Sequence, residues 1–204
     1  ASINMPDVYQ FLSQEYQTIG DTLASLEILQ QAASRFPEQI WTVQSLYYYN
    51  FSHGNVQEAL NIVKDAIART GNIAEYYRMK GNLEEESKNY EVALADFDKA
   101  LELDPKLADA AAGMGRVYYN QAVEMNDKAA DILDNKAYNK ALQDVKAMFS
   151  KSLPFFEQAH EIDKANNNGD TEKMNRQYMI ILRGLYHRLG ITDKEEAMDK
   201  LINQ

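Results

Sequence analysis

The sequence predicts an all-α fold, an α-α superhelical solenoid of about five helix pairs, one of them drawn out into an extended helical hairpin. Three observations lead there. Ala, Leu, Glu, Lys and Gln, all good helix formers, are abundant, while the 204 residues include only 4 Pro and 9 Gly. Residues 20–37, 54–70 and 88–105 each read as an amphipathic helix, with apolar side chains at i, i+3, i+4 and i+7. Small residues also recur at a fixed interval. Gly20 and Gly54 are 34 residues apart, as are Ala59 and Ala93, and as are successive members of Ala32, Ala66 and Ala100. A unit of that length cannot bury its own apolar face, so neighbouring units must stack.

The units follow in order. The first spans 6–39 and carries Tyr9, Leu12, Tyr16, Gly20, Ala32 and Pro37. The second spans 40–73 with Leu46, Gly54, Ala59 and Ala66. The third spans 74–107 with Tyr77, Gly81, Ala93, Phe97, Ala100 and Pro105. The fourth opens at 108 with Met114, Gly115 and Tyr118, resumes at Phe156 and Ala159, and closes near 166. A fifth, partial unit spans 176–204 with Leu182, Tyr186 and Gly190, and a final helix at about 193–203 caps the stack. Small residues belong where two helices cross closely and large ones fill the adjacent gap. Gly opens the turn between helices and Pro ends the second helix. The whole of 1–204 reads as one domain.

The fourth unit is interrupted by an insertion of 25 residues. Ala122, Met125, Ala129 and Leu133 form one apolar stripe, and Ala141, Val145, Met148 and Leu153 approximate another. The added sequence therefore reads as helix on both sides of a turn near Asp134–Asn135. Each helix gains about 12 residues, roughly 18 Å of projection, and Pro154 is expected to kink the second. The hairpin either packs on its neighbours or adds a binding or dimerising surface.

Composition bounds the partners. A net charge of −10 disfavours nucleic acid, whose affinity comes largely from Lys and Arg on phosphates, and an anionic membrane surface. The absence of cysteine removes disulfides, thiolate catalysis and Cys-ligated zinc. No run of about 18 apolar residues crosses a membrane. The chain opens at Ala1 without Met, as a mature or trimmed form would.

The repeat length and these residues together resemble the tetratricopeptide repeat family. The interrupted fourth unit and the C-terminal pattern are also similar to tetratricopeptide proteins of Bacteroidetes-type bacteria, many of them exported, which makes a bacterial, periplasmic location the expectation. The sequence departs from the family at Tyr47 and Arg183, where its first helices have Gly, and at Lys88, where its turn has Gly. What the resemblance implies is a non-catalytic protein–protein interaction scaffold. Its partner peptide or protein would lie in a concave groove lined by the first helix of each unit. The implied groove residues are Gln10 and Gln14, then Trp41, Gln44, Tyr48 and Phe51, then Arg78 and Asn82, then Arg116 and Tyr119. Trp41, Tyr48, Phe51 and Tyr119 are the anchors, since aromatic side chains dominate binding hot spots, unless they merely fill gaps between units. Arg78 and Arg116 suit a carboxylate. A heat-shock chaperone clamp is disfavoured, because Gln10 and Gln14 replace the family's Lys and Asn. Two alternatives stay open: self-assembly of copies through the long hairpin, as a homo-oligomer, and a chaperone-like or assembly accessory role.

Other features point away from catalysis and from cofactors. His53, His160 and His187 lack ligand spacing. The 164–175 segment has Lys164 and Asn175 where a calcium loop needs acids. The Gly113–Met114–Gly115 pair follows no strand. No cofactor, metal or catalytic set is expected.

Overall fold

The computed structural model describes residues 5–170 and 172–203. These form helices and the turns between them, with no strand among the described residues. The helices are α1 (Pro6–Thr18), α2 (Thr22–Arg35), α3 (Ile40–Ser52), α4 (Val56–Thr70), α5 (Ala74–Glu86), α6 (Tyr90–Leu103), α7 (Ala108–Ala129), α8 (Asn135–Asn166), α9 (Arg176–Leu189) and α10 (Thr192–Ile202). The chain divides into two compact units, one ending at Asn89 and the other beginning at Tyr90. No described helix is long and apolar enough to cross a membrane.

The turns repeat one chemistry. Gly20, Gly54 and Gly190 follow α1, α3 and α9 at φ 80, 75 and 77°, and Lys88 takes the same place after α5 at φ 60°. The next amide in each case donates to the carbonyl five residues back. Asp21 bonds Tyr16 at 2.9 Å, Asn55 bonds Asn50 at 2.9 Å, Asn89 bonds Glu84 at 2.8 Å and Ile191 bonds Tyr186 at 2.9 Å. This is the left-handed helix stop that satisfies orphaned carbonyls and favours glycine. Asp21 and Asp134 then cap the next helix, accepting from the amides of Ala24 at 3.0 Å and Ala137 at 2.8 Å.

In the first unit α1 packs on α2, α2 on α3, α3 on α4, and α5 on both α3 and α4. Its core joins Val43 and Tyr47 of α3, Val63 of α4, and Tyr76, Met79 and Leu83 of α5. The recurrent alanines are the crossing points: Ala32, Ala59 and Ala66 are at most 2% exposed. Tyr9 meets Phe36 edge-on at 5.7 Å, closing the first pair. Tyr47, the large residue where the family has Gly, is buried in this core, so the unusual residue is accommodated as packing volume.

In the second unit α6 packs on α7, α7 on α8, α8 on α9 and α9 on α10. Two glycines of α7 admit one aromatic ring each. A methyl group at Gly113 would lie 2.5 Å from the Phe97 ring of α6, and one at Gly115 would lie 2.7 Å from the Phe156 ring of α8. Phe149, Phe156, Tyr178, Leu182 and Leu185 carry the core onward into α9. α7 has 22 residues and α8 has 32, against 13 to 15 in α1–α6. The extension therefore falls mainly on α8 and is not shared equally. α8 continues as helix through Pro154. At the hairpin turn Leu133 is 97% exposed.

Candidate protein-binding face

Of the residues that the sequence assigned to a groove, those of the first unit fall into two kinds. Gln10 and Gln14 on α1 and Tyr48 and Phe51 on α3 are exposed, whereas Trp41, Gln44 and Asn82 are half-buried and Arg78 is buried. The exposed aromatics are fixed from beneath. The buried Tyr47 ring meets Tyr48 edge-on at 5.1 Å and stacks on Phe51 at 5.7 Å with 13° between planes. The Asn82 side chain of α5 donates to the Tyr47 hydroxyl at 3.3 Å. Two exposed rings thus stand on a buried ring that is itself tied to the next helix. They lose little side-chain freedom when something binds them.

Beside these rings is a cavity of about 510 Å³ between α3 and the α1–α2 pair, lined by Gln17, Ser25, Leu26, Ser45, Tyr48 and Phe51 among others. Two of its polar lining residues, Gln17 and Ser25, are hydrogen-bonded within the α1–α2 pair. The Ser25 hydroxyl donates to the Ser13 carbonyl at 3.1 Å and lies 2.9 Å from the Ser13 hydroxyl, and Gln17 Nε2 donates to Ser25 Oγ at 3.3 Å. Ser25 and Leu26 were not among the sequence candidates. They belong to the second helix of a pair, and only the packing of α2 beside α3 brings them to the cavity. The signal available in the sequence was Ser25 itself, a polar residue on the buried side of an amphipathic helix.

Arg78 is engaged within its own helix. Its Nε donates to Glu75 Oε2 at 2.9 Å and its Nη2 bonds Glu75 Oε1, a two-pronged pair three residues apart. Trp41 packs against the Tyr9–Ala32–Phe36 cluster. In the second unit the Arg116 guanidinium lies over the Phe97 ring at 6.0 Å. Tyr119 packs edge-on against Phe149 at 5.1 Å, joined to the core there. Trp41 and Tyr119 therefore contribute substantially to packing, and of these four aromatics Tyr48 and Phe51 are the exposed ones.

Burial and hydrogen bonding shift ionisable groups in both units. Burial, assisted by Glu38, pushes the Tyr76 hydroxyl up to about 12, and the hydroxyl donates to the Pro37 carbonyl. The Tyr178 hydroxyl is pushed further up by burial and by donating to Asp109. The Tyr186 hydroxyl rises for the same two reasons, with Glu157 as its acceptor. His160 moves the opposite way, its pKa lowered chiefly by burial. The other two histidines are exposed: His53 stacks on Tyr49 at 4.3 Å, and His187 Nδ1 lies 3.0 Å from Glu195.

The tetratricopeptide repeat family model matches residues 74–107. The sequence matches none of the curated proteins with which it was compared. Among solved structures, MamA from Desulfovibrio magneticus RS-1 is 15% identical with a TM-score of 0.58, over 97% of this chain and 91% of that one. The C-terminal part of a tetratricopeptide repeat-containing protein from Cytophaga hutchinsonii is 15% identical with a TM-score of 0.62, over 97% and 67%. A monomeric mutant of IFIT1, solved with Gppp-AAAA, is 18% identical with a TM-score of 0.67, over 87% and 36%. At these identities the likeness is one of fold: an all-α superhelical repeat. A repeat of this kind supports a protein–protein interaction scaffold in general terms.

Proposed function

This chain carries a tetratricopeptide repeat at 74–107 and the fold of tetratricopeptide-repeat proteins, and we propose that it is a non-catalytic scaffold that takes a partner's peptide segment on the face around Tyr48 and Phe51. The observation that carries this reading is the aromatic pair standing at 52% and 36% exposure on a buried ring. Large rings held in place and left open to solvent are what hot spots are made of. The adjoining cavity adds Gln17 and Ser45 as hydrogen-bonding groups beside an apolar wall. Exposed amides at Gln10 and Gln14 continue that chemistry along α1. The segment that fits is an extended or helical stretch with one or two large apolar side chains and free backbone polar groups.

The test is capture of partners from source-cell extract by wild type, by a Tyr48→Ala/Phe51→Ala double variant, and by Gln31→Ala, an exposed control on α2. A partner kept by wild type and the control and lost by the double variant supports the face. Equal retention by all three sinks it.

A second reading is favoured by one observation. Leu133, at 97% exposure at the end of the hairpin, is a large apolar side chain with nothing of its own unit over it. In this reading copies of the chain, or an assembly they serve, meet through the hairpin. Leu133→Glu would then reduce the mass measured by light scattering, and an unchanged mass would remove this reading.

A further inference from the structure

The cavity of about 510 Å³ beside Tyr48 and Phe51 is uncharged. None of the residues lining it is Asp, Glu, Lys, Arg or His, in a chain of which 25% is charged. Helix α3 supplies one stripe of it, Ser45, Tyr48, Tyr49 and Ser52, at the i, i+3, i+4 and i+7 spacing of a single helix face. A charged side chain entering this space would give up water and meet no counter-ion there, which is costly. The side chain that suits it is neutral.

The hydrogen-bonding groups of the wall are set to accept. A serine hydroxyl has one proton and two lone pairs. The half-buried Ser45 gives that proton to the Trp41 carbonyl at 2.8 Å, so its Oγ can accept a further bond and has no proton to offer. Gln17 is fixed by similar bookkeeping. Ser25 Oγ donates to the Ser13 carbonyl at 3.1 Å, so at 3.3 Å it accepts from Gln17. That contact assigns the amide nitrogen of Gln17 to Ser25 and leaves Gln17 Oε1 as an acceptor. The hydroxyls of Tyr48 and Tyr49 can accept as well. Leu26 and the Phe51 ring make the rest of the wall apolar.

An apolar, uncharged space with acceptors on one side suits a flat hydrophobic group that carries a proton donor and no acceptor. Among side chains that is the indole of tryptophan. Phenylalanine brings no proton, and an amide brings an oxygen for which Ser45 has no donor. We propose, on the premise that the Tyr48–Phe51 face receives a peptide, that the partner's anchor is a tryptophan. Its indole lies against Leu26 and Phe51 and donates its N–H to Ser45 Oγ.

The test titrates the whole protein by NMR with three neutral probes: N-acetyl-tryptophanamide, the same compound methylated on the indole nitrogen, and N-acetyl-phenylalaninamide. The tryptophan probe is expected to bind saturably and to shift the backbone amides of Ser45 and Tyr48. Methylation, which removes only the N–H, is expected to weaken binding about five-fold, the loss of one neutral hydrogen bond. Ser45→Ala is expected to weaken the tryptophan probe by the same factor and to leave the methylated probe unchanged. Three probes that bind alike, or a methylated probe still sensitive to Ser45→Ala, overturn the tryptophan anchor. So does the absence of saturable binding by the tryptophan probe. Each of these results leaves the face itself standing if the Tyr48→Ala/Phe51→Ala double variant still loses its captured partner. Retention of that partner removes the face.

Discussion

Gly115 of α7 lies so close beneath the Phe156 ring of α8 that a methyl group there would stand 2.7 Å from the ring. The ring is 1% exposed, so it has nowhere to move. This one pair explains why the long hairpin starts as a tight crossing: the glycine sets the approach of the two helices and the aromatic fills the gap. Gly115→Ala is expected to cost about 2 kcal/mol, the usual penalty of overpacking a filled core. Gly184 in α9, where an added methyl would meet nothing within 4 Å, is the control. Gly184→Ala is expected to be neutral or to stabilise by up to about 1 kcal/mol, since alanine is the better helix former. Denaturant midpoints of the two variants, taken side by side, decide it. A Gly115→Ala protein as stable as wild type would contradict the crossing.

That crossing was legible in the sequence, because small residues spaced by 34 with a large residue to follow encode helix contacts directly. The division of the hairpin was less legible. The inserted residues keep helical periodicity on both sides of the turn, so nothing in their pattern said that α8 would take most of the added length. Which aromatics stand exposed was legible only in part. The spacing of first-helix positions named Tyr48 and Phe51 together with Trp41 and Tyr119 and could not separate them, because the same spacing serves a ring that faces solvent and one that fills a gap. Arg78 was readable otherwise: Glu75, three residues before it on one helix, is in reach of its guanidinium. Ser25 and the second-helix wall of the cavity needed the tertiary packing of α2 beside α3.

Lys88 holds the left-handed turn position that Gly20, Gly54 and Gly190 hold elsewhere, at φ 60°. A side chain costs about 1 kcal/mol there. Lys88→Gly is therefore expected to raise the thermal midpoint, and Gly54→Ala to lower it by a comparable amount. A calorimetric scan of each variant checks both signs. A fall in the midpoint of Lys88→Gly would mean that the lysine side chain contributes more than its backbone costs.

His160 makes the second unit sensitive to acid. Its pKa is lowered from 6.5 by burial first and by Lys164 next, against opposition from Glu161 and Asp163 on the same helix. Tyr186 of α9 and Lys194 of α10 line one cavity with His160, and Glu157 accepts from both. A pKa lower in the folded state than in the unfolded one means that the unfolded chain binds the proton more tightly. The stability tied to neutral His160 is thus complete above pH 6.5 and is lost as pH falls through the folded-state value. Between about pH 7 and pH 5, where histidine titrates, His160→Leu is expected to show a flatter fall in unfolding midpoint than wild type. Parallel curves for the two proteins would show that the imidazole pays no such cost.

The Tyr48–Phe51 face is tested most directly by site-specific photocrosslinking in source cells, with a photoreactive phenylalanine analogue placed at position 48 in one strain and at position 31 in another. Both positions are exposed and lie on different helices of the first unit. A discrete crosslinked protein is expected from position 48, absent from position 31 and lost when Phe51→Ala is added. Identical products from both positions, or none from 48 while a crosslinker at 133 captures a partner, would contradict the Tyr48–Phe51 face as the working surface.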